Sequence, residues 1–380
     1  MAGIYIHIPF CKKACNYCNF HFSVNKQALP KMAEAIVVET VLQKHYLNEP
    51  IETIYFGGGT PSLLSADQLN SILAVIHQNF EVEKQVEITL EANPDDINAS
   101  NLQVWKLAGI NRLSIGIQSS IGIQSFFEED LQWMGRAHNA DQAIQCIELA
   151  QAAGFDNLSI DLIYGGPTLS DGNWKQNIER AIQLKIPHLS CYALTVEPKT
   201  ALAKKIKEQA VPNVDPEKQA EHFAILTELT QLAGYEHYEI SNFALPTKRS
   251  RHNANYWQGK HYLGLGPAAH SFNGNSRQWN IANNSLYITA IQQQQIPFEI
   301  EHLTQQQKIN EYIMTALRTM EGINLTQLKT IGGEAAVDRI LKEANRFIQE
   351  ATMSLELNHL IITPKGKFYA DGIAAELFQL

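Results

Sequence analysis

An α/β fold organised as an open, partial barrel of about six parallel strands is what this sequence predicts. Three observations carry the prediction. Short apolar runs alternate with stretches of helical period, the links between them are short, and polar or glycine-rich motifs follow the strand-like runs. About six β/α units fall short of a complete eight-fold barrel, so the sheet is expected to stay open.

Strands are predicted over GIYIHI (3–8), TIYFGG (53–58), VEITLEA (86–92), RLSIGIQ (112–118), LSIDLIYG (158–165) and LSCYALTV (189–196). Helical periodicity covers 27–48, 65–79, 139–154 and 215–234. HYEISNFA (237–244) is strand-like again and opens a less regular region. From about residue 300 the character changes: QQKINEYIMTALRTMEG is helical and LELNHLIITPKGKFYA reads as a terminal hairpin. These shifts divide the chain into a barrel over 1–245, a connecting region over 246–299 and a small C-terminal module over 300–380.

Composition excludes several classes. The 380 residues, 45% of them hydrophobic, suffice for one large core or two unequal ones. A formal net charge of −9 gives no electrostatic basis for binding nucleic acid or an anionic membrane. No apolar run approaches the roughly 18 residues of a membrane span. The stretch MAGIYIHIPFCKK lacks the basic-then-apolar layout of a secretion signal. The odd, clustered set of five cysteines is not a disulfide framework. A cytoplasmic protein with reduced thiols is expected.

In parallel α/β folds ligands sit at the carboxyl ends of the strands. Cys11, Cys15 and Cys18 follow the first strand, GGGTP (57–61) the second, EANPDD (91–96) the third and DLIYGGP (161–167) overlaps the fifth, so the motifs share one rim. A structural zinc site would close its shell with a fourth ligand, His7 or His21. A four-iron cluster held by three thiolates instead keeps one iron open to a small molecule, which is what a reaction needs. The other thiols, Cys146 and Cys191, lie in apolar runs and are expected to be buried as small hydrophobes.

The C-x₃-C-x-Y-C string in YIHIPFCKKACNYC, followed by YFGGGTPSLL, resembles the radical S-adenosylmethionine (SAM) superfamily. With DLIYGGP and MGRAH the likeness narrows to the oxygen-independent coproporphyrinogen III oxidase branch and runs across nearly the full chain. It implies a partial (β/α)6 radical SAM barrel with a small C-terminal helical, winged-helix-like domain. It also implies that Cys11, Cys15 and Cys18 hold a [4Fe–4S] cluster whose fourth iron is chelated by SAM, and that cleavage of SAM yields a 5′-deoxyadenosyl radical. Gly58 and Gly59 would admit the methionine part of SAM, and Thr60 would add a polar contact. Glu91 would accept from the SAM amino group, Arg136 would fork onto its carboxylate, and Asp161 would accept from a ribose hydroxyl. Tyr5 and Tyr17 would flank the cluster or the adenosyl group. Taken singly, each has a plainer reading as a turn glycine, a surface carboxylate or a core tyrosine.

Two features place the chain within that branch. The oxidases carry a further cysteine two residues after the third; here that position is Phe20. RHNANYW (251–257) contains an H-N-x-x-Y-W string, which is similar to the haem-chaperone relatives of the oxidase. That likeness implies haem as a third bound group, with His252 on the iron and Tyr256 and Trp257 packed on the porphyrin. The plainer reading is that His252, one of thirteen histidines, is packed or hydrogen-bonded. Implied partners are haem and haem-accepting cytochromes or respiratory proteins, with transient membrane-protein contact and a homodimer as further expectations. Nucleic acid is not expected, because no basic stripe accompanies the winged-helix-like tail. Oxidation of coproporphyrinogen III by radical decarboxylation is the alternative. GLGPAAHS (264–271) resembles a family loop near the active site, with no role assigned to His270.

SIGIQS occurs twice in tandem, at 114–119 and 120–125. Six extra residues would lengthen an extended strand by roughly 20 Å, so one copy must loop out or the strand must overrun the rim. The glutamine facing SAM is therefore Gln118 or Gln124, and the lead-in INRL favours Gln118.

Overall fold

The computed structural model describes residues 1–13, 21–117, 121–122, 124–134, 139–198 and 200–378. Its centre is a run of parallel strands: β1 (Ala2–Ile8), β2 (Ile51–Gly58), β3 (Val82–Glu91), β4 (Arg112–Ile117) and, after the short β5 (Ile121–Gly122), β6 (Leu158–Tyr164) and β7 (His188–Ala193). They lie in the order β1-β2-β3-β4-β6-β7, every neighbouring pair parallel. Parallel pairing requires a crossover between strands. These are supplied by α1 (Leu29–Leu42), α2 (Ala66–Asn79), α3 (Ala99–Leu107), α4 (Glu128–Met134), α5 (Ala140–Ala152) and α6 (Asp171–Gln183), while α7 (Ala201–Lys207) and α8 (Pro216–Leu232) follow β7. This is the open six-stranded barrel that the sequence predicts.

The alternation of β1 sets the layers. Ile4, Ile6 and Ile8 are fully buried in one core with Met32 and Ile36 of α1, so Tyr5 and His7 face the other way, into the barrel. Helix starts are marked by side-chain caps, with reciprocal boxes of Ser65 with Gln68 and Asn139 with Gln142. Cys146 and Cys191 are buried, as expected.

Both edges of the barrel sheet are extended. Beyond β7 lies the antiparallel hairpin β8 (Glu236–Glu239) and β9 (Asn242–Ala244). Beyond β1, after α9 (Arg251–Trp257), β10 (Tyr262–Leu265) pairs parallel to β1. Then β11 (His270–Phe272), β12 (Ser276–Asn280) and, after α10 (Asn284–Gln292), β13 (Phe298–His302) continue it antiparallel. The region 246–299, expected as a connector, thus carries α9 and most of a four-stranded extension of the barrel sheet.

The C-terminal part has its own core, which includes Ile313, Leu328, Ile340 and Leu360. It runs α11 (Gln305–Leu317), β14 (Ile323–Asn324), α12 (Leu325–Gln349), β15 (Met353–Glu356), β16 (His359–Ile362) and α13 (Ala370–Glu376), with sheet order β14-β16-β15. Gly333, at φ 75°, breaks α12 into two helical pieces. Helix, strand, two helices and a hairpin is the winged-helix order.

The repeated SIGIQS folds back on itself. β5 pairs antiparallel to the end of β4, Gly116 opposite Gly122 and Ile117 opposite Ile121. The chain then rejoins the sheet at Gln124, whose N–H donates to Asp161 O at 2.8 Å and whose carbonyl accepts from Ile163 N at 3.0 Å. Residues 118–120 and 123 lie outside the described residues, and Gln124 takes the place beside β6 that an uninterrupted β4 would reach.

Candidate functional site

At the carboxyl end of β1 the cysteine loop is closed by its ends. Cys11 N donates to Ser23 O at 3.0 Å and Ser23 N to Pro9 O at 2.9 Å. Cys11 is fully buried. Cys15, Tyr17, Cys18 and Phe20 lie outside the described residues. Lys12 ties the loop to the turn after β3, pairing with Asp95 at 2.7 Å and also with Asp96.

The glycines after β2 are required by close packing on that same loop. Gly58 has φ 101°, and a Cβ there would lie 2.6 Å from the His7 ring; one on Gly59 would lie 2.5 Å from the Phe10 carbonyl oxygen. The expectation assigned them to the approach of SAM. The crowding comes from His7 of β1 and Phe10 just after it, so the glycines also let the two rim segments pack together. Thr60 is fully buried, and its hydroxyl has no hydrogen-bond partner among the described residues.

Glu91 ends β3 inside the barrel. One carboxylate oxygen accepts from the Tyr55 hydroxyl at 2.9 Å, while Oε2 is buried with no hydrogen-bond partner among the described residues. Burial pushes the carboxyl up to about 8, against the opposing pull of Tyr55 and the Gly58 N–H. Asp161 sits fully buried on β6, next to Gln124. Gln118 and Arg136 lie outside the described residues. Gln124 stands in the line of the strand, bonded to the backbone of Asp161 and Ile163.

The HNANYW stretch forms α9 and enters the barrel from the opposite end. Its first turn is held by Glu87 of β3, which accepts from His252 N at 3.1 Å and Arg251 N at 3.3 Å, with Ser250 as the cap. His252 is 2% exposed. Its Nδ1 is 2.8 Å from Thr53 Oγ1 and its Nε2 2.9 Å from the Tyr256 hydroxyl. The ring stacks on Tyr55 at 4.9 Å, and Tyr5 stacks on Tyr55 at 6.1 Å. Burial holds the imidazole down to about 3, so it is neutral. A neutral imidazole has one donor and one acceptor nitrogen, and here both are engaged by hydroxyls, as in the plainer reading. An iron at His252 would have to displace Thr53 or Tyr256. Trp257 lies under the Arg318 guanidinium, 4.9 Å from the ring centroid, and Arg318 also binds Glu239 at 2.9 Å and Asp371 at 3.0 Å.

These groups share one space. A cavity of about 520 Å³ is lined by Tyr5, Tyr55, Gly58 and Glu91 on the rim side, by His252, Tyr256 and Trp257 of α9, and by Glu239 and Arg318. Three of the expected SAM residues, Tyr5, Gly58 and Glu91, therefore face the HNANYW residues across one chamber, while Gly59, Thr60 and Asp161 do not line it. Sequence reasoning missed Thr53, Tyr55, Glu87, Glu239 and Arg318. Tyr55 had a legible signal, because it stands two positions before Gly57 in a strand whose alternate residues share a face.

An open six-stranded barrel with a cysteine loop after β1, glycines after β2 and an inward carboxyl ending β3 defines a radical SAM protein. A family model described as the Radical SAM superfamily matches residues 5–181. The chain is 34% identical to heme chaperone HemW of Bacillus subtilis (strain 168), covering 85% of each chain. It is 30% identical to heme chaperone HemW of Mycobacterium tuberculosis, over 99% of this chain and 94% of that one. It is 36% identical to the mitochondrial radical S-adenosyl methionine domain-containing protein 1 of Bos taurus, over 71% of this chain and 60% of the relative. In fold it is similar to the coproporphyrinogen III oxidase HemN of Escherichia coli, with a TM-score of 0.84 at 21% identity, covering 100% of this chain and 90% of that one. The chain belongs to the radical SAM superfamily and, within it, to the HemW family.

Membership of the superfamily implies a [4Fe–4S] cluster and SAM. The rim fits such a ligand: Cys11 is buried at the loop, and Glu91 Oε2 and Thr60 Oγ1 are buried acceptors awaiting a donor.

Proposed function

We propose that this protein is a haem chaperone that also holds a [4Fe–4S] cluster and SAM, and that it passes haem to cytochromes or other haem-requiring respiratory proteins. The observation that carries this is the 30–34% identity, over 85–99% of the chain, to proteins named heme chaperone HemW. Phe20 supports it against the oxidase reading, since the thiol that the oxidases have there is replaced by a hydrocarbon ring.

Cys11, Cys15 and Cys18 are the proposed cluster ligands. The cluster and SAM, when bound, supply one-electron chemistry. This chain's own groups bind and orient. Glu91 accepts from the SAM ammonium, Arg136 meets its carboxylate, Gly58 and Gly59 admit its methionine part, and Thr60, Asp161 and either Gln118 or Gln124 contribute polar contacts. Tyr5 and Tyr17 pack at the rim. Tyr5, Tyr55 and Tyr256 are stacked or hydrogen-bonded around His252, which fixes the inner wall of the chamber. The proposed location is the cytoplasm, with transient contact to membrane-bound acceptors. Among the described residues no helix is long and apolar enough to cross a membrane.

The test against the alternative is product analysis. Protein reconstituted with iron and sulfide without oxygen, then given SAM, reductant and coproporphyrinogen III, is expected to form no protoporphyrinogen. Protoporphyrinogen formed with turnover would overturn the chaperone reading.

A further inference from the structure

Beside the chamber, and sharing Tyr256 and Trp257 with it, lies a second cleft of about 410 Å³. One wall is the face of β10, β11 and β12, and the other is α11 of the C-terminal part. Strand register puts the wall together. Tyr262 stands opposite Phe272, Phe272 opposite Arg277, and His270 opposite Trp279, and directly opposed residues share a face. Tyr262 is also in register with Gly3 on β1, so this face continues the one that carries Tyr5. The wall is therefore aromatic, and His270 lies on it, exposed and stacked on Trp279 at 6.0 Å.

The two histidines differ in one decisive respect. His252 has both nitrogens hydrogen-bonded inside the barrel. His270 has no hydrogen bond to its ring among the described residues and opens onto a cleft, so a nitrogen lone pair is presented to a ligand. Burial and the nearby Arg277 lower its proton affinity, which keeps the imidazole in the neutral, ligating form. Across from it, Lys308 of α11 lies on the cleft with its ammonium 2.6 Å from Asn275 Oδ1, and Arg277 is paired with Glu311. Flat apolar walls, one open imidazole and a cation at the edge complement a planar macrocycle that carries iron at its centre and carboxylates on its rim.

We propose that this outer cleft is the haem seat, with His270 as the axial ligand, Tyr262 and Phe272 against the macrocycle and Lys308 on a propionate. The inference rests on the haem-chaperone reading and assigns His252 to positioning Tyr256, the wall that the two spaces share.

The test is a haem titration of the reconstituted full chain, followed by Soret absorbance, for the wild type and for His270→Gly, Lys308→Gln and His252→Ala. Far-ultraviolet dichroism and SAM binding report that each variant is folded. His270→Gly is expected to shift the Soret band and weaken binding by about tenfold or more, and added imidazole should restore the band position, which a merely structural role would not allow. Lys308→Gln should weaken binding several-fold with the band unmoved, and His252→Ala, which releases Tyr256 of the shared wall, should weaken binding less than His270→Gly and leave the band position unmoved. An unchanged band and affinity in His270→Gly, or a band lost in His252→Ala and retained in His270→Gly, would overturn the proposal while leaving the chaperone reading intact. No haem bound by the wild type would overturn that reading itself.

Discussion

Glu91 holds its proton to about 8 because its carboxyl is buried with one oxygen unpartnered, whereas its ordinary value is 4.5. Between those two values the folded chain keeps a proton that the unfolded chain has released, so this group lowers stability as pH rises across the window. Glu91→Gln, which keeps an acceptor for Tyr55, should therefore gain stability over the wild type toward pH 8. The gain should grow by about 1.4 kcal/mol for each pH unit across the window, read by denaturant unfolding at several pH values. The same variant should lose roughly 1.5–3 kcal/mol of SAM binding, the worth of a charge-assisted hydrogen bond. Wild-type SAM affinity, by calorimetry, should rise with pH toward 8 because the bound form needs the carboxylate. A flat pH profile and undiminished affinity in the variant would remove Glu91 from the site. Cys15→Ala is the companion test at this scale: two thiolates do not anchor a cuboidal cluster. The variant should lose the bound iron and sulfide after reconstitution, and full iron content would contradict the cluster assignment.

The repeated SIGIQS is a problem of register at the scale of an element. The sequence establishes that one strand cannot absorb six more residues, but not which copy stays in the sheet, because the two copies are chemically identical. The structure uses both: Ser114 and Ile115 of the first copy pair with β6, and Gln124 of the second bonds to the backbone of Asp161 and Ile163 further along it. Excising residues 120–125 leaves a single copy running straight from β4 to α4. That variant should fold, keep its SAM affinity, and unfold at the same or a higher temperature, since a loop is removed without loss of the barrel register. Failure to fold would make the hairpin a structural element in its own right. The glycines after β2 were legible as a motif, but the packing they permit was not, because the atoms that crowd Gly58 and Gly59 come from β1 and its loop, some fifty residues earlier in the chain.

For the whole molecule, the barrel was legible because each parallel strand is a long apolar run followed by a functional loop. The C-terminal part was legible because its composition changes and its core is separate. The sheet extension was not, since β10 to β13 are strands of 3–5 residues whose pairing partners, not their periodicity, define them. That extension matters, for with α9 it closes the chamber from the end opposite the cysteine loop and builds the outer cleft. The position of His252 was foreseen as a candidate site, but its use of both nitrogens depends on Thr53 and Tyr256, which spacing alone does not bring together. A radical SAM barrel that carries haem must bind it at a defined site. The most direct measurement is the stoichiometry of haem on the anaerobically reconstituted full chain. A saturable Soret band approaching one haem per chain is expected, with the cluster retained. Absence of any saturable haem binding would contradict the chaperone reading.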